Sequence, residues 1–151
     1  MSENTVPEQI PLSRERRTEL LAYAEPAELI ELADTCLSID PDPVVIVAPE
    51  LGTITAQVRE PIVGQRFLLG DVLVCRAEVE WSGYRGWAMR TDEDRPAVLA
   101  AAILDAAAQS DATRAEQVDA LCVRVAERIR DDEAAEWAEL EPTIVRFEEL
   151  R

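Results

Sequence analysis

The sequence contains no histidine. This removes the commonest general base and the commonest metal ligand. A Ser-His-Asp or Cys-His site would need a second chain to supply its imidazole. No G-x-G-x-x-G, G-x-x-x-x-G-K-S/T or C-x-x-C segment occurs, so the usual phosphate-cradling loops and paired-cysteine motifs are excluded. Basic side chains are few, 15 against 31 acidic ones, which leaves a net charge of −16 and a pI near 4.3. Such a chain repels phosphate backbones and anionic lipid headgroups. Nucleic-acid and membrane partners are therefore disfavoured, and a basic protein surface or a cation is favoured. No apolar run is long enough to span a bilayer. Cys36, Cys75 and Cys122 are odd in number and widely spaced, which argues against a disulfide scaffold or a zinc knuckle. Met1 to Leu12 is polar and proline-containing, with no basic stretch ahead of an apolar one. It reads as a disordered tail and not a signal peptide, in a cytoplasmic protein.

What is present is enough for one domain. The chain has 151 residues, 48% of them hydrophobic. Ser13 can cap a first helix with Leu20, Leu21, Tyr23 and Ala24 on its apolar face. Pro26 suits the first turn of a second helix, in which Leu29, Ile30, Ala33 and Leu37 recur at helical spacing. Asp40-Pro41-Asp42-Pro43 stops it. The middle of the chain is β-like: Val44 to Ala48, a turn at Leu51-Gly52, alternation over Ile54 to Arg59, and a loop at Pro61 to Gln65. The long stretch Arg66 to Trp81 follows, then a hairpin bounded by Ser82-Gly83 and Gly86 leading into Trp87 to Arg90. After Thr91 to Asp94 the period becomes helical, with one helix from Arg95-Pro96 and another over about Arg114 to Arg130. The acidic run Asp131 to Glu141 is helical by propensity, and Pro142 breaks it. The expectation is an α+β fold: a small antiparallel β-sheet of about four strands flanked by N-terminal and C-terminal helices, forming a single domain over residues 13–151.

No catalytic residue or metal ligand is assigned from these patterns. The binding candidates are Arg59, Arg66, Gly70, Asp71 and Arg76. Gly70-Asp71 interrupts a strand pattern, either as a register-setting bulge or as a point where a ligand or partner backbone comes close. A guanidinium can hold phosphate or carboxylate bidentately, but Arg66 and Arg76 can equally pair with local acids. On a regular strand the two would share a face, and a bulge between them would swap that parity. Cys75 reads as a small buried hydrophobe. Glu133, Glu136, Glu139 and Glu141 read as a solvated helix face, and Trp81, Trp87 and Trp137 as core or interface anchors.

Three blocks together resemble the PhnG family of the bacterial carbon–phosphorus lyase system. Leu21-Ala22-Tyr23-Ala24-Glu25-Pro26-Ala27-Glu28-Leu29 is similar to the family's L-A-x-A/S-x-P-A-E-L. Gln57-Val58-Arg59, then Arg66-Phe67, Gly70-Asp71 and Arg76-Ala77, are similar to Q-x-R followed by R-F-x-x-G-D-x-x-x-T-R-A. Ile103-Leu104-Asp105-Ala106 is the third, and Thr143 to Phe147 is similar to a T-x-V-x-F ending. Two departures stand out. Cys75 replaces the family's threonine, and Asp92-Glu93-Asp94 stands where a Gly-Arg-Asp/Asn segment is usual.

The resemblance implies an accessory subunit of the carbon–phosphorus lyase core complex, with PhnI-, PhnH- and PhnJ-like partners. It would act as a homodimer within a larger hetero-oligomer and carry no cofactor of its own. With PhnI, PhnH and PhnL, the family supports formation of α-D-ribose 1-methylphosphonate 5-triphosphate, in which methylphosphonate displaces adenine from ATP. PhnI supplies the nucleosidase activity, and PhnJ later breaks the C–P bond. The alternatives are an independent small-anion-binding protein using Arg59, Arg66 and Arg76, or a freestanding homodimer of the same fold.

Overall fold

The computed structural model describes residues 11–40 and 43–144. In chain order the elements are α1 (Arg14–Tyr23), α2 (Pro26–Leu37), β1 (Val44–Arg59), β2 (Arg66–Trp81), β3 (Tyr84–Arg90), α3 (Arg95–Ser110) and α4 (Ala112–Leu140), closed by a 3-10 turn at Glu141–Thr143. The strands form one antiparallel sheet in the order β1-β2-β3, with helices before and after it, an α+β arrangement.

Capping accounts for the helix starts. The Ser13 hydroxyl accepts the Arg16 N–H at 3.2 Å, the Asp94 carboxylate accepts the Ala97 N–H at 2.9 Å, and the Asp111 carboxylate accepts the Arg114 N–H at 2.9 Å. Pro26 and Pro96 occupy first turns, where a missing N–H costs nothing. The α3 helix is the centre of the core. It is buried almost continuously from Ala97 to Ala108, because its alanines let the sheet on one side and helices α2 and α4 on the other come close. Gly86 of β3 makes the tightest approach. A Cβ there would lie 2.0 Å from the Ala102 carbonyl oxygen and 2.6 Å from the Ala106 nitrogen.

Alternation along β2 sends Cys75, Ala77, Val79 and Trp81 into the helical layer, where all four are buried. Arg114 lies over the Trp81 ring at 4.4 Å. By contrast, Trp87 and Trp137 are exposed.

Three expectations are corrected. The sheet has three strands, because β1 runs unbroken through the turn expected at Leu51-Gly52. Those residues pair directly with Cys75 and Val74 in the ladder. The irregularity falls slightly earlier, as register shifts between Val45 and Val47 and between Val47 and Glu50. The second shift contains Pro49, which has no N–H to give a ladder. Second, Gly86 lies inside β3. The hairpin is closed by Ser82 and Gly83 alone, with φ of 51° and 81°, the positive pair that a tight two-residue hairpin requires. Third, the helices expected on either side of Arg130 are one helix, α4, which runs through to Leu140 before Pro142.

Of the expected tail, Met1 to Ile10 lies outside the described residues. Leu12 packs against the core, and its N–H donates to Asp119 at 3.3 Å. Pro41-Asp42 and the end of the chain from Val145, with most of the T-x-V-x-F segment, also lie outside the described residues.

Candidate functional site

The β1 and β2 strands are 16 residues long, whereas β3 has seven and pairs only with the Cys75–Trp81 half of β2. The other half, Leu51–Arg59 paired with Arg66–Cys75, therefore runs on as a two-stranded ribbon. Every sequence-level binding candidate lies on it or at its root.

The expected interruption in β2 is real. Ala56 pairs with Gly70 while Gln57 pairs with Leu68, so Leu69 is the extra residue of a bulge and Gly70 sits at φ 148°. The β1 strand has no irregularity between Glu50 and Ala56, so the bulge swaps parity on β2 alone. Arg76 pairs with Glu50, and Arg66 pairs with Arg59. Glu50 and Arg59 lie on opposite faces of β1, and so Arg76 and Arg66 lie on opposite faces of the ribbon.

The two faces have different chemistry. Directly opposed residues share a face, so Arg59, Arg66, Gln57 and Leu68 extend the face that carries the helices. Val58 and Phe67 oppose each other on the other face, in line with Ile54, Val72 and Val74. Arg76 donates to Glu50 at 2.7 Å, an exposed pair. The Asp71 carboxylate accepts the Thr55 hydroxyl at 2.9 Å. Glu60 accepts the N–H groups of Ile62 and Val63, both at 2.6 Å, which fixes the tip and holds its carboxyl below the usual carboxylate range. Among the described residues, Arg59 and Arg66 have no ion-pair partner.

A second concave region, a cleft of about 480 Å³, lies between α1 and the outer face of the sheet, with Tyr23, Ile54, Val74, Trp87 and Met89 among its walls. Its two arginines are already committed. Arg14 is held by Asp105 at 2.8 Å. Arg90, 5% exposed, donates to the carbonyls of Leu21 and Ala24, each at 3.0 Å, and pairs with Asp92 at 2.8 Å. This buried arginine escaped sequence reading, because Ala88-Met89-Arg90 resembles the charged end of any surface strand. The acidic Asp92-Glu93-Asp94 segment also acquires a structural role. Asp92 neutralises Arg90 and accepts the Asp94 N–H at 3.1 Å, and Asp94 caps α3.

The three cysteines are buried, and burial pushes each thiol up, Cys122 to about 12. They are inert packing groups. No cluster of three or more Cys, Asp or Glu side chains suited to a metal ion occurs among the described residues. Glu133, Glu136, Glu139 and Glu141 are exposed.

Two blocks that mark the sequence are thus accounted for by folding alone. Leu21 and Leu29 are buried and the Ala24 carbonyl receives Arg90, while Asp105 receives Arg14 and the Trp87 N–H. The middle block forms the ribbon, and the pattern as a whole matches a described family, the phosphonate metabolism protein PhnG, across residues 12–151. The chain belongs to the PhnG family. Comparison with curated proteins gives no match. Membership places the PhnG-family chain in phosphonate metabolism. No helix among the described residues is long and apolar enough to cross a membrane.

Proposed function

We propose that this chain is an accessory subunit of the carbon–phosphorus lyase core complex, cytoplasmic and without an active site of its own. In that role it supports formation of α-D-ribose 1-methylphosphonate 5-triphosphate from ATP and methylphosphonate. Its partners are PhnI-, PhnH- and PhnJ-like subunits, and it is present there as a homodimer within the hetero-oligomer.

The carrying observation is the face of the sheet opposite the helices. Trp87, Ile54, Val58 and Phe67 lie on it and are 43%, 43%, 38% and 48% exposed. The bulge residue Leu69 and the loop residues Ile62 and Val63 at the tip are more exposed still. Exposed apolar side chains grouped in this way, on an arm that reaches past the helical layer, are characteristic of an interaction site. The strongly held charged groups, Arg14 with Asp105 and Arg90 with Asp92, serve the backbone and leave little to act on a substrate.

Co-expression with a tagged PhnI-like subunit tests this reading. A stable complex is expected, with the isolated chain prone to self-association. Failure to co-purify would remove the proposal. The alternative of an anion site built from Arg59, Arg66 and Arg76 together fits less well, because the bulge sends Arg76 to the other face, where Glu50 holds it.

A further inference from the structure

The opposed arginines near the ribbon tip remain unexplained by the fold. Like charges directly across a strand pair are destabilising, and among the described residues no ion pair relieves this one. The chain has 31 acidic residues to 15 basic ones, and eight other arginines find carboxylates. The acids of the ribbon and its loop are engaged there: Glu60 by the N–H groups of the tip loop, and Asp71 by Thr55. The Leu69 bulge is also what turns Arg66 onto Arg59's face; an unbroken register would set it opposite Glu60. A regular strand would have separated the two cations.

We infer that Arg59 and Arg66 form a guanidinium clamp for a carboxylate presented by the partner surface on which the ribbon docks. The inference rests on the proposed role of the ribbon and adds the chemistry of its partner. Two forks on one face can grip a carboxylate from both sides. The clamp lies on an open surface, so water and salt compete for a free small anion there. Docking changes this. With Leu68 beside the clamp and Val58 and Phe67 on the reverse face, a partner that covers the ribbon also excludes water, and the same pair becomes strong. A protein side chain delivered with apolar surface therefore suits the site better than a dissolved phosphate. The charge layout supports this. At the ribbon tip Arg59 and Arg66 outnumber Glu60, in a chain of 31 acidic and 15 basic residues, so the tip selects an acidic spot on the partner.

The test compares wild type, Arg59→Ala/Arg66→Ala and Arg59→Glu/Arg66→Glu in complex with the PhnI-like subunit, measuring affinity at several salt concentrations. The double alanine variant should bind about tenfold to a hundredfold more weakly, with a flatter salt dependence. The double glutamate variant should not bind. The isolated double alanine chain should melt at the same temperature as wild type or higher, because repulsion is removed. Wild-type affinity in the glutamate variant overturns the clamp while leaving the complex intact. Absence of any wild-type complex overturns the docking role, and the clamp with it. Calorimetric binding of inorganic phosphate or ATP by the isolated chain, lost in the double alanine variant, would make the clamp a free-anion site and also overturn the inference.

Discussion

Asp105 accepts the Trp87 N–H at 3.1 Å while holding Arg14 at 2.8 Å. This one carboxylate, 1% exposed, joins α3, α1 and the outer edge of β3. Arg14 in turn donates to the Arg85 carbonyl at 2.9 Å, and Gln109 donates to the same oxygen at 2.9 Å. Side chains thus complete the hydrogen bonding of β3 at Arg85 and Trp87, which closes this part of the edge to a further strand. Replacing Asp105 by alanine leaves the Trp87 N–H without an acceptor and should cost about 1–3 kcal/mol. Asparagine keeps an acceptor and should cost less. Urea midpoints at neutral pH measure both.

Gly86→Ala should be worse. The added Cβ meets backbone atoms of α3 at 2.0 and 2.6 Å, which cannot swing aside as a side chain would. Overpacking typically costs about 1–3 kcal/mol, and here the upper end or beyond is expected. A variant that unfolds at the wild-type midpoint would mean that α3 and β3 are less closely packed.

Gly70→Ala should act locally. No atom lies near its would-be Cβ, but φ of 148° is a conformation that side-chain-bearing residues rarely adopt. The strain is about 1–3 kcal/mol and is confined to the ribbon. Hydrogen exchange should therefore quicken over Leu68 to Val72 with little change in the global midpoint. Equal acceleration in α3 would show instead that ribbon and core unfold together.

Alkaline pH should destabilise the fold through its thiols. Burial raises Cys122 from 9.0 to about 12 and moves Cys36 and Cys75 in the same direction. The folded thiols keep protons that the unfolded ones release, so this contribution is complete below pH 9 and declines as pH rises toward 12. The unfolding midpoint should fall over that window. A thiol reagent at neutral pH should label the native chain slowly and the unfolded chain at once.

The helices are legible in the sequence because capping and period are local signals: Ser13, Pro26 and Pro96 each mark a start that the structure contains. Alternation likewise marks β2, and Gly70 marks its bulge. That Leu51-Gly52 stays in a strand is not legible, because it depends on pairing with Cys75 and Val74, and neither is the burial of Arg90, whose carbonyl partners, Leu21 and Ala24, lie at the far end of α1. The candidate site was legible in part. Arg59, Arg66 and Arg76 stand out in an acidic sequence, yet which two share a face depends on a bulge of one residue.

The ribbon's apolar face is the surface proposed to dock on the partner. Its most direct test is co-purification of the Val58→Asp/Phe67→Asp variant with a tagged PhnI-like subunit, alongside wild type. Both residues are exposed at the far end of the sheet, so the variant should fold. Wild type should co-purify, and the variant, with an unchanged melting temperature, should not. Equal recovery of the two would contradict it.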